Sequence, residues 1–154
     1  MKIYTYYENI GFSNQEKIIE KWKSNWKKSG FDPVLLTIDD AKGHPYFKEY
    51  VSIIKSNSKI FGYPKISNYG LNCFIRWLAY ANQKEKSFYV SDYDVFNVRL
   101  KPEEPIEKLY FMDGKCPCLA SGSPWQFFEL CSMFTRNWTM NLKDNQKRFH
   151  DQDW

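Results

Sequence analysis

Ser87-Phe88-Tyr89-Val90-Ser91-Asp92-Tyr93-Asp94-Val95-Phe96-Asn97 is the stretch around which the rest of the chain is organised. Phe88, Tyr89 and Val90 are β-formers that pack well in a buried strand. That strand runs into two carboxylates, Asp92 and Asp94. On extended chain, side chains two apart point to the same face. Like charges sharing a face beside a buried strand repel, and a hard divalent cation held by oxygens relieves the repulsion. In open α/β sheets ligands bind just outside the carboxyl ends of the strands, where this pair falls. The expectation is a metal held at Asp92-Tyr93-Asp94 that grips a diphosphate. A polar turn after an edge strand, with both acids in water, is the alternative, and the Asp-x-Asp spacing alone does not separate the two.

The flanking sequence gives this strand a context. Lys2–Tyr7 alternates and is rich in β-formers, a first strand with Thr5, Tyr6 and Tyr7 at its carboxyl end. Ser13, with Glu16 three residues on, spells a capping box. Ile18, Ile19, Trp22 and Trp26 follow at helical spacing, and Gly30 stops that helix. Val34–Ile38 is a second buried strand, ending in Asp39-Asp40. Strand, helix, strand opens a parallel α/β sheet. Pro45 suits the first turn of a helix through Tyr50, Val51, Ile53 and Ile54, and Ser56–Pro64 is polar and broken, a loop. Ser67 caps a further helix whose stripe is Leu71, Phe74, Ile75, Leu78 and Ala79. Asn72 and Arg76 lie one turn apart on its flank, toward the strand that follows.

Beyond the acid pair, Lys101–Pro105 is a turn and Leu109–Met112 a short strand before the Asp113-Gly114 turn signal. Cys118–Ala120 is another strand and Ser121-Gly122-Ser123-Pro124 a tight loop. Pro124 then opens a helix through Trp125, Phe128, Leu130, Cys131 and Phe134. No internal repeat, low-complexity tract or linker divides the 154 residues, so one domain is expected.

Composition narrows the function classes. Aromatic residues make up 19% of the chain, but a mean hydropathy of −0.63 shows them diluted by polar residues. No apolar run is long enough to cross a bilayer, and the N-terminus lacks the look of a signal peptide. A cytoplasmic site of action is therefore expected. The net charge is +4, with much of the excess on the predicted helix over Lys17–Lys28. The plain reading of that helix is a solvated face; a nucleic-acid footprint would need a more concentrated stripe, and an anionic ligand, such as a nucleotide or an acidic lipid surface, is compatible with the modest excess. Cys116-Pro117-Cys118 lacks zinc-knuckle spacing and has no His-x-x-x-His partner. Cys73 and Cys131 read as small core residues, and His44 and His150 are too isolated for a metal site or a proton relay.

The order of these features resembles the nucleotide-sugar-dependent glycosyltransferases of the GT-A fold. The matching features are a first strand ending in Thr/Tyr, a second ending in Asp, and an Arg-bearing helix feeding a hydrophobic strand that closes in Asp-x-Asp. A small-residue loop before a helix and a late Asp-Gln-Asp follow. The last is similar to the retaining, glycogenin- and lipooligosaccharide-galactosyltransferase-like branch. The resemblance implies a three-layer αβα sandwich on a mostly parallel sheet, and transfer of a sugar from a nucleotide-diphosphate donor, with UDP-sugars common among such enzymes, to a glycan or other hydroxyl acceptor. It implies Mn²⁺ or Mg²⁺ held by Asp94 directly and by Asp92, which otherwise binds the donor ribose. Thr5, Tyr6 and Tyr7 would surround the base, Asp39 would accept hydrogen bonds from base or ribose, and Asn72, Arg76 and Tyr93 would flank the donor. Ser121 and Gly122 would let the sugar approach the backbone. Asp151, Gln152 and Asp153 would line the reacting sugar and the acceptor.

The chemistry of transfer agrees with that set. Glycosyl transfer builds negative charge on the leaving diphosphate, which two bare acids would oppose and a bound cation would stabilise. An inverting course needs a base on the acceptor side, for which Asp151 or Asp153 is the natural candidate, and a retaining course needs none; both stay open. Many related enzymes carry a further C-terminal segment with another metal ligand, so either this chain is a minimal version or it is the catalytic domain of something longer. Haloacid-dehalogenase-like phosphohydrolases also use Asp-x-Asp at a strand end, but on the first strand and followed one residue on by Thr or Val, where Phe96 stands here. A non-catalytic sugar-nucleotide-binding module would use the same residues without turnover.

Overall fold

The computed structural model describes residues 1–9, 11, 13–60, 65–105, 108–113 and 116–140. Its strands are β1 (Lys2–Tyr6), β2 (Asp32–Leu36), β3 (Phe88–Ser91), β4 (Tyr110–Asp113) and β5 (Cys116–Gly122). They form one sheet in the order β2-β1-β3-β5-β4. β1 pairs in parallel with β2 and with β3, while β5 runs antiparallel to both β3 and β4. The sheet is thus mixed rather than mostly parallel. Only two residues separate β4 from β5, fewer than the crossover a parallel pair requires, in keeping with their antiparallel pairing.

Side-chain alternation along β1 and β3 splits the interior into two. Ile3 and Tyr89 face α1 (Gln15–Lys28), packing with Trp22, Trp26 and Phe31. Tyr4, Tyr6, Phe88 and Val90 face the opposite way. They meet α2 (Ile38–Lys42), α3 (Phe47–Ile60), α4 (Asn68–Ala81) and α5 (Pro124–Met140). The fold is an α/β domain with helices on both faces of the sheet. The chain leaves β1 over one face to reach β2, then returns over the other face to β3, on the far side of β1. The direction of winding reverses between β1 and β3, and this is where open α/β sheets form a ligand crevice.

Several boundaries depart from expectation. The first residue of α1 is Gln15, and its N-cap is Asn14 at φ 69° with no side-chain cap, not Ser13 in a capping box with Glu16. A tertiary contact sets this start: Gln15 is buried and its amide donates to the Tyr93 hydroxyl at 3.1 Å. The other end is as expected. Gly30 takes φ +85°, its N–H donates to Lys27 O at 3.0 Å, and Phe31 N–H reaches back to Trp26 O at 3.1 Å, a Schellman motif. Its hydrophobic contact is the Trp26–Phe31 ring pair, 5.1 Å apart at 89°.

β2 starts and ends two residues earlier than the predicted span, because Thr37 caps α2. Thr37 Oγ1 accepts from Asp39 N, and Asp40 Oδ2 accepts from Thr37 N at 2.7 Å. Asp39-Asp40 is therefore the first turn of a helix, not the end of a strand. β2 tolerates Pro33 because it is an edge strand. Asp32 N bonds to Met1 O and Tyr7 N bonds to Leu36 O, so the even-numbered residues of β2 face β1 and the Pro33 nitrogen faces outward. Ser56–Ile60, expected in a loop, continues α3, with Asn57 and Ser58 buried. Ser67 caps α4 as expected, accepting from Gly70 N at 2.9 Å. Ser121 and Gly122 belong to β5 rather than a loop. Cys73 and Cys131 are core residues, as their patterns implied.

Candidate functional site

The end of β3 is fixed from both faces. Ser91, its last residue, accepts a 2.8 Å hydrogen bond from the Trp22 indole on the α1 side. Asp92 N then donates to Cys118 O of β5 at 2.9 Å, and Val95 N closes a turn on Asp92 O at 3.1 Å. Asp92-Tyr93-Asp94 is therefore a turn, not a continuation of extended chain. The two acids come to one place because the turn folds them there, not because strand pleating aligns them.

Asp92 falls on the face covered by α4. Arg76 Nη1 donates to Asp92 Oδ1 at 2.7 Å, with the Arg76 side chain 12% exposed and Asp92 33%. The guanidinium lies over the Trp77 ring at 4.7 Å. A mostly buried cation of this kind needs an anionic partner, and Asp92 is that partner. Part of the repulsion between the two acids is thus answered within the protein. Asp94 is exposed, and among the described residues nothing is bonded to its carboxylate.

These side chains surround a cavity of about 120 Å³ between the carboxyl ends of β1 and β3. β1 and its exit contribute Tyr6 and Glu8; α4 contributes Tyr69, Asn72, Cys73 and Arg76; the turn contributes Asp92, Tyr93 and Asp94. The Tyr6 hydroxyl donates to Asn72 Oδ1 at 3.0 Å. Burial, reinforced by the nearby Glu8 carboxylate, holds that hydroxyl well above the usual tyrosine range, so it stays a donor at any ordinary pH. Next to this cavity is a larger one of about 650 Å³, which shares Glu8, Tyr69 and Asn72 with it. Its further lining mixes amides, Asn9 and Asn68, with aliphatic Ile38, Leu71 and Ile75.

The structure thus brings together Tyr6, Asn72, Arg76, Asp92, Tyr93 and Asp94. Thr5 is not with them. It is 0% exposed and alternates with Tyr4 and Tyr6 onto the α1 face of β1, so it cannot touch a ligand in the crevice. Tyr7 meets Tyr93 edge-on at 6.3 Å and lines a separate 210 Å³ hollow beside the start of α1. Asp39 points to solvent and pairs with Lys42 at 2.8 Å, lining neither crevice cavity; its neighbour Ile38 lines the larger one. Ser121 is 1% exposed and pairs with Tyr89 and Tyr110. Gly122 pairs with Phe88, at the opposite end of β3 from the acid pair. A Cβ on Gly122 would come within 3.1 Å of Leu109 Cδ1 and Gln126 Oε1, so it is small to let α5 and Leu109 pack over β5, not to admit a sugar. Asp151, Gln152 and Asp153 lie outside the described residues.

Glu8 and Tyr69 were not foreseen. Tyr69 could have been, because Tyr69, Asn72 and Arg76 lie at i, i+3 and i+7, one helical stripe. Glu8 follows the first strand at the end where α/β ligands bind. Beside the site, Cys118 is held protonated. Burial, its neighbour Cys116 and the Asp92 carboxylate push its thiol up to about 11.

Comparison with protein-family models, with curated protein sequences and with solved structures finds no significant match.

Proposed function

We propose that this chain is a metal-dependent glycosyltransferase that takes a sugar from a nucleotide-diphosphate donor, a UDP-sugar in the first instance, and passes it to a hydroxyl acceptor. What supports this is the crevice between β1 and β3. An acidic turn, a mostly buried arginine and an amide held by a tyrosine face one small cavity, and a larger, more apolar one adjoins it.

The acids fit a hard cation. Among the described residues no three His, Cys, Asp or Glu side chains converge into a cage. Mg²⁺ and similar ions are commonly held by one or two carboxylates, with substrate phosphates and water filling the remaining positions. Asp94 would hold the ion, with Asp92 assisting. When bound, it supplies positive charge to the departing diphosphate. Arg76 adds fixed positive charge on the same side and holds Asp92 in place, so little reorganisation is needed as the leaving group gains charge. The larger cavity is suited to the nucleoside. Tyr69, 52% exposed, offers a ring for stacking, and Asn9, Asn68 and Asn72 offer amides that both donate and accept.

The test is thermal shift and donor hydrolysis with Mn²⁺ and a panel of UDP-, GDP- and other nucleotide sugars. A metal-dependent shift with turnover supports transfer, while a shift without turnover makes the chain a binding module. In Asp94→Ala the metal-dependent shift should vanish while the fold is kept; unchanged donor affinity in that variant rejects the proposal.

A further inference from the structure

We propose that Cys116 and Cys118 form a two-sulfur site for a soft, closed-shell cation of the Cu⁺ type, next to the acid pair but separate from it. The two residues lie two apart on β5, so their side chains leave the same face of the sheet. They are half-buried, neither is in a disulfide, and Cys116 lies near enough to Cys118 to help raise its thiol. The other two cysteines, Cys73 and Cys131, are buried in the core.

The backbone holds this pair in place. Pro117 fixes φ between the two cysteines and has no N–H to give. It falls where the β4–β5 ladder slips register, between the Phe111 and Asp113 pairings. On the other side the β3–β5 ladder ends at Ser91 and Leu119, with one further bond from Asp92 N to Cys118 O. The thiols therefore stand on a stiff strand end that runs past its neighbour.

The chemistry selects the ion. Thiolates prefer soft metals over Mg²⁺ or Mn²⁺. With no third His, Cys, Asp or Glu side chain converging among the described residues, zinc's tetrahedral shell is not filled by protein, whereas a two-coordinate ion needs only the pair. On binding, each thiol releases one proton to solvent and forms one S–Cu bond, and copper stays monovalent throughout. The resulting unit carries one negative charge, and the Asp92 carboxylate that helps raise the Cys118 thiol is itself paired with the Arg76 guanidinium. This site does not depend on glycosyl transfer being the activity.

The experiment titrates the purified chain with Cu⁺ under anaerobic conditions, without Mn²⁺, against a colorimetric Cu⁺ chelator. Wild type, Cys116→Ser and Cys118→Ser are compared, each checked for an unchanged circular dichroism spectrum. The expected result is one Cu⁺ taken per chain, and in either variant a loss of affinity larger than the roughly 10–100-fold that losing a mere outer-shell partner costs. X-ray absorption of the loaded wild type should show two sulfur neighbours. Two folded variants that compete as well as wild type, a wild type that leaves all copper with the chelator, or a copper shell of nitrogen or oxygen overturns the proposal.

Discussion

Replacing Glu85 by Gln separates the architecture of the domain from its chemistry. Glu85 lies in the connection between α4 and β3, and its two oxygens take the Lys2 ammonium and, at 2.6 Å, the Tyr4 hydroxyl. The amino end of β1 is thereby tied down, at the opposite end of the sheet from the crevice. Burial alone would raise the Glu85 carboxyl, but the hydrogen bonds from Lys2 and Tyr4 outweigh it and lower the pKa from 4.5 to about 2. At about 1.36 kcal/mol per pH unit that sets a ceiling of roughly 3 kcal/mol. The Lys2 side chain is 41% exposed, and solvent screening reduces the expected contribution to about 1–2 kcal/mol.

The sign follows from the lowered value. A carboxyl that is more acidic folded than unfolded stabilises the protein above the unfolded pKa, and that contribution is lost as pH falls from about 4.5 toward 2. Urea unfolding followed by tryptophan fluorescence should therefore find wild type more stable than Glu85→Gln by about 1–2 kcal/mol near pH 6. The gap should close as the solution is acidified through that window. A gap that is absent near neutrality, or that survives unchanged at the acid end, refutes the reasoning. Metal-dependent donor binding should be the same in both proteins near neutrality.

Arg76→Met should weaken donor binding and also cost about 1–2 kcal/mol, because it strands a partly buried Asp92; unchanged unfolding midpoints and donor affinity would contradict both roles. Tyr69→Ala should lose about 1–3 kcal/mol of nucleotide affinity, by analogy with base stacking on aromatic rings, without moving the melting temperature; calorimetry with the free nucleoside diphosphate measures it. Gly30→Ala should destabilise by about 1–2 kcal/mol, since φ is +85° there and the new methyl would meet Pro102 Cγ at 3.2 Å; an unaltered urea midpoint would count against the Schellman assignment.

The parts of the fold legible in the sequence are those where local pattern and tertiary demand agree. Phe88–Val90 is apolar because it is buried on both faces, and the α4 stripe is apolar because one flank packs on the sheet. Gly30 marks a turn that only a residue free at positive φ takes easily. Misread elements had their local signal overridden by a distant partner. Gln15 begins α1 because Tyr93, far along the chain, receives its amide. Ser121 and Gly122 have loop-like composition, yet both are strand residues, and Gly122 is small because Gln126 and Phe127 of α5 lie over it. The site divides in the same way. The stripe of Asn72 and Arg76 on the flank of α4 toward the site is legible from helical spacing. The turn that gathers Asp92 and Asp94, the inward facing of Thr5 and the helical capture of Asp39-Asp40 depend on hydrogen bonds that no spacing rule contains.

The outward-facing nitrogen of Pro33 has a bearing on how copies of this protein behave together. A strand arriving from another molecule would lie alongside β2, and near the start of that border it would find a ring methylene where it needs a donor. Sheet growth on that flank is thereby discouraged at its first step. Crowded chains should stay apart along that border even at concentrations where bare margins of sheet begin to stitch together.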